Sequence, residues 1–84
     1  MRTIVDRASD FVLAVERVFG VPPRVLDGSR AVLLGEFKLS LEAGEHELCV
    51  IRTHGALEEW LAVFEVRGEI EHALHDAKEF LGRA

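Results

Sequence analysis

Hydrophobic positions near the start of the chain recur every three or four places: Ile4, Ala8, Phe11, Val12, Val15 and Phe19. This is the stripe of an amphipathic helix, and it predicts one over residues 4 to 19. Thr3 is placed to cap it with Asp6 three residues on, and Gly20 followed by Pro22 and Pro23 marks its end. After Pro23 the period changes. Val25-Leu26 and Ala31-Val32-Leu33-Leu34 flank the turn pair Asp27-Gly28, which suggests a short hairpin. Glu36 to Glu42 alternates strictly and sets Phe37, Leu39 and Leu41 on one face, with Gly35 at its start as a bulge or bend. Ala43-Gly44-Glu45 is a turn into the strand Glu47 to Thr53, which ends at His54-Gly55-Ala56.

The stretch 57 to 66 fits two periods. Leu57, Trp60, Leu61 and Phe64 make a helical stripe, whereas Trp60, Ala62, Phe64 and Val66 make one face of a strand. The β-prone residues Val63, Phe64 and Val66 and the preceding turn favour a strand from 59 to 66. Beyond Glu69, the positions Ile70, Ala73, Leu74, Ala77 and Leu81 restore a helical stripe, with acids in its first turn and Gly82 as its stop. The expected fold class is α+β: an N-terminal helix, an antiparallel meander of three to four strands and a C-terminal helix, an αβββα-like order in two layers.

Two helices on one face of a meander should leave the other face polar. That outer face carries Glu36, Lys38, Ser40 and Glu42 but also Val32, Leu34, Ile51, Leu61 and Val63. This apolar surplus marks an interaction face, and a second copy is the expected occupant because small cores gain from pairing.

Composition narrows the setting. With 84 residues, 49% hydrophobic and 30% charged, the chain suits one folded domain spanning 1 to 84. A lone cysteine, Cys49, excludes an internal disulfide and points to a reducing, cytoplasmic setting. No stretch reaches the roughly 18 apolar residues of a membrane helix, and the first residues do not resemble a signal peptide. The net charge of −5, with its bases scattered, disfavours direct nucleic-acid binding and leaves a basic protein as a possible partner. Asn, Gln and Tyr are absent and Arg outnumbers Lys, a composition compatible with a thermophilic source or with GC-rich coding.

Candidate chemistry is sparse. Glu69, His72, His75 and Asp76 share a helix, and Glu-x-x-His spacing projects two ligands together, yet such metal sites draw on several helices and only one is visible. A solvated polar face accounts better for them. His46 and His54 sit eight residues apart at the two ends of a strand and fit turn positions. Cys49, within Leu48-Cys49-Val50-Ile51, fits a small buried hydrophobe better than a nucleophile. No phosphate loop, nucleophile elbow, Cys-x-x-Cys or dinucleotide fingerprint occurs, so no cofactor and no catalytic residue is expected. The rival expectation is a small metal- or cysteine-dependent enzyme.

The order helix, three strands, helix resembles the double-stranded-RNA-binding domain, whose second helix starts with lysines. Here that start is Gly68-Glu69-Ile70-Glu71-His72, so the likeness does not imply RNA binding. The segment Glu71 to Leu81 resembles the helix that follows the sheet in HicB-like antitoxins, which implies an acidic protein occupying a nucleic-acid-binding partner. Both are likenesses of element order or of one amphipathic helix, and no family is assigned on them.

Overall fold

The computed structural model describes residues 7–26, 28 and 30–83. Helix α1 spans Arg7–Phe19 and is followed by strands β1 (Arg24–Leu26), β2 (Ala31–Leu34), β3 (Phe37–Glu42), β4 (Glu47–His54) and β5 (Leu57–Glu65), and then by helix α2 (Ile70–Arg83). The five strands form one open antiparallel sheet in chain order, with β1 and β5 at its edges. This is the expected α+β arrangement, with five strands where three or four were expected. The Val25-Leu26 segment pairs with β2 as an edge strand of its own, Leu26 opposite Ala31. The expected cap residues Thr3 and Asp6, the first stripe position Ile4 and the turn residue Asp27 lie outside the described residues.

Both helices pack on one face. Phe11, Ala14, Val15 and Val18 of α1 meet Ala73, Leu74 and Ala77 of α2 over Val32, Leu39, Leu41, Leu48 and Val50 of the sheet. Gly20 closes α1 by donating its N–H to the Glu16 carbonyl at 2.8 Å. The Lys78 ammonium of α2 then donates to the Val18 carbonyl at 3.0 Å, placing a cation at the negative end of the α1 dipole and tying the helices together. The stop expected at Gly82 is not taken, since α2 runs on through Arg83, where an ion pair to Glu79 at 2.9 Å supports the last turn.

Two local features reset which side chains face the helices. The first is the two-residue turn Gly35-Glu36. It pairs Leu34 with Phe37 and Val32 with Leu39, and residues opposite each other in an antiparallel pair share a face. Counted straight through, Val32 and Leu34 fall on the outer face; across the turn they join Phe37 and Leu39 on the helix side. Gly35 has φ 63°, at the first central position, where a type II′ hairpin turn calls for glycine.

The second feature is a bulge in β5. Val50 lies opposite Ala62, but the next β4 residue, Ile51, lies opposite Trp60, so Leu61 is the extra residue. The bulge reverses the parity of β5 and places Trp60 on the same face as Val63, while Leu61, Ala62 and Phe64 pack toward the core. The strand expected for 57 to 66 is therefore present, but neither expected face survives whole.

The β3 to β4 loop stores strain. Ala43 and Glu45 hold φ values of 53° and 73°, in the left-handed region that costs a side-chain-bearing residue roughly 1–2 kcal/mol. Replacing Ala43 with glycine relieves that cost at the expense of unfolded-chain entropy, and a net stabilisation of about 0.5 kcal/mol is expected. Urea denaturation measures it, and a destabilised variant would contradict the strain assignment.

Candidate interaction face

The sheet face away from the helices is built from two cross-strand rows. Ser40, Cys49 and Val63 lie in register on β3, β4 and β5, and Lys38, Ile51 and Trp60 form the neighbouring row. The middle strand is closed to solvent: Cys49 and Ile51 are each only 1% exposed although neither α1 nor α2 lies on this side. The Lys38 ammonium reaches the Glu58 carboxylate at 2.8 Å. By register this ion pair crosses β4 beside Ile51, which accounts for part of the seal. On β5 the cover ends, leaving Trp60 57% and Val63 53% exposed.

The five residues expected to form the interface therefore divide. Val32 is fully buried in the core, and Leu34 and Leu61 pack against it, so all three leave the outer face. The turn at Gly35-Glu36 moves the first two, and the bulge moves the third. Ile51 lies on the outer face but is buried, and Val63 alone is both outward and open. Trp60, which simple alternation places inside, takes the place of Leu61. The double fit of 57 to 66 to a helical and a strand period was its sequence signal, since a strand with one extra residue produces that mixture.

The expected chemical candidates are scattered. Glu69, His72, His75 and Asp76 are exposed, and among the described residues no three His, Cys, Asp or Glu side chains converge to hold a metal ion. His46 is exposed in the β3 to β4 loop; His54, at the far end of β4, lies 3.6 Å from Glu59. On the helix side, an open cleft of about 540 Å³ lies between α1, the β3 to β4 loop and the start of α2. Asp10, Glu45, Glu69 and Glu71 line it with one base, Arg17. That base is already engaged, its Nε and Nη2 donating to Glu71 Oε2 at 2.7 and 2.5 Å.

Cys49 has the environment of an inert thiol. Burial pushes its pKa up, and the carboxylates of Glu42 and Glu47 push it further, the reverse of what activates a nucleophile. Because the folded state holds the thiol proton more tightly than the unfolded chain does, the contribution of Cys49 to stability is full below about pH 8.5. It is lost as the pH rises through the higher folded value. Native Cys49 is expected to react with a thiol reagent far more slowly than the urea-unfolded chain; equal rates would contradict its burial.

These features define a small α+β protein with two helices on one face of an open five-stranded antiparallel sheet and an apolar strip on the other. No protein-family model, curated protein or solved structure matches the chain. No helix among the described residues is long and apolar enough to cross a membrane.

Proposed function

We propose that this chain is a small non-catalytic binding or regulatory protein that acts through protein–protein contacts and self-associates as a homodimer through its sheet. The observation that carries this reading is the pair Trp60 and Val63, large apolar side chains held half open at the rim of the face away from α1 and α2. Two of the six large exposed hydrophobics among the described residues, Trp60 and Val63, lie on this face of β5. An apolar concentration on one strand marks a contact surface, and closed two-fold dimers are the commonest way for a small domain to cover one. Sedimentation velocity at micromolar concentration is the test. Wild-type protein is expected to sediment as a dimer and Trp60→Lys as a folded monomer with an unchanged circular-dichroism spectrum. A wild-type monomer would overturn the reading.

A further inference from the structure

We propose that the dimer forms edge to edge through β5, two copies pairing antiparallel so that their sheets run together as one. The inference rests on the self-association proposed above and adds where it occurs and in what register.

The backbone supplies the register. Val66 donates its N–H to the His46 carbonyl at 2.8 Å, one step beyond the β4 to β5 ladder. Bonded pairs alternate in an antiparallel ladder, so Phe64 and Ala62 bond to β4 while Glu65 and Val63 turn their N–H and C=O groups outward. Beyond the bulge, Thr53 donates to the Glu36 carbonyl at 2.8 Å. Thr53 and Ile51 therefore direct their backbone groups to β3, and their β5 neighbours Glu58 and Trp60 also face outward. The outward set is Glu58, Trp60, Val63 and Glu65, spaced two, three, two. It reads the same in both directions.

A two-fold axis between Leu61 and Ala62 consequently brings each outward backbone group to its complement. Trp60 falls opposite Val63 of the second copy and Glu58 opposite Glu65 of the second copy, with both bulges on the axis. Aromatic and β-branched residues facing each other across strands are a favourable pair, and here they extend the two rows through Cys49 and through Ile51 across the junction. Bare carboxylates facing each other would repel. In this edge each acid carries its own cation, Lys38 for Glu58 and Arg67 for Glu65. What meets across the junction is therefore one ion pair against another.

Proline at position 65 separates this arrangement from face-to-face packing, because it removes an N–H that β4 does not use. The wild type and Glu65→Pro are compared by sedimentation, and wild-type amide exchange is followed by NMR at low and high protein concentration. The expected result is a wild-type dimer that Glu65→Pro abolishes while its circular dichroism is retained. The Trp60, Val63 and Glu65 amides are expected to gain protection as the concentration rises. A dimer that survives Glu65→Pro, or one whose β5 amides stay unprotected, overturns the edge register and leaves self-association through the open face standing. A monomeric wild type at about 100 µM, near the weak end of specific association, overturns both. If the proline variant does not fold, the wild-type amide exchange decides alone.

Discussion

Phe11→Ala is expected to lower the unfolding free energy by about 3–5 kcal/mol, the usual cost of deleting a buried aromatic ring. Phe11 is fully buried where α1 meets α2 and the sheet, so no solvent-facing relaxation is open to it. A chain of this size has a total stability of roughly 4–13 kcal/mol at the usual per-residue range, and the variant would lose a large share of it. The control lies two residues away. Leu13, on the exposed side of the same helix, is 53% accessible, and Leu13→Ala should move stability by no more than about 0.5 kcal/mol. Urea unfolding of both variants by circular dichroism tests the pair; similar losses would mean that the helix does not present the face described.

Val32→Asp is expected to be at least as damaging, at about 3–5 kcal/mol for an uncompensated buried charge, whereas Val63→Asp should leave the monomer folded. The two substitutions are the same chemically and differ in which way the side chain points. Val32 is fully buried opposite Leu39, and Val63 is half exposed opposite Cys49. Unbroken alternation through Gly35 would put both on the outer face and predict equal tolerance. A folded Val32→Asp with native melting behaviour would therefore remove the turn-induced change of face, and with it the separation of core from contact surface.

Much of the architecture follows from periodicity alone. Phe11, Val12 and Val15, and likewise Ala73, Leu74 and Ala77, recur at helical spacing and lie where that spacing puts them, because a helix is a local structure whose hydrogen bonds close within four residues. The strands around Phe37, Leu39 and Leu41 and around Leu48 and Val50 were equally legible, as was the turn at Gly55, whereas Gly35 read as a bulge or bend and is a hairpin turn. Cys49 was readable as a buried thiol from its apolar neighbours. The facing of the sheet residues was less so: Val63 is outward and open as expected, Trp60 is open where it was expected inside, and Val32, Leu34 and Leu61 lie on the helix side instead of the outer one.

The sequence by itself determined the element order, the helix stripes and an excess of apolar residues larger than one helix-covered face needs. Only the tertiary structure decided which of those residues are surplus. Facing in a sheet has a period of two, so a single change of phase inverts every side chain beyond it. Two such changes occur here. The turn at Gly35-Glu36 resets β2 against β3, and the extra residue Leu61 resets one half of β5 against the other. Both are fixed by pairing between strands; the mixed period of 57 to 66 marks the second without saying which residue is the extra one, and together they leave Trp60 and Val63 open on the edge strand.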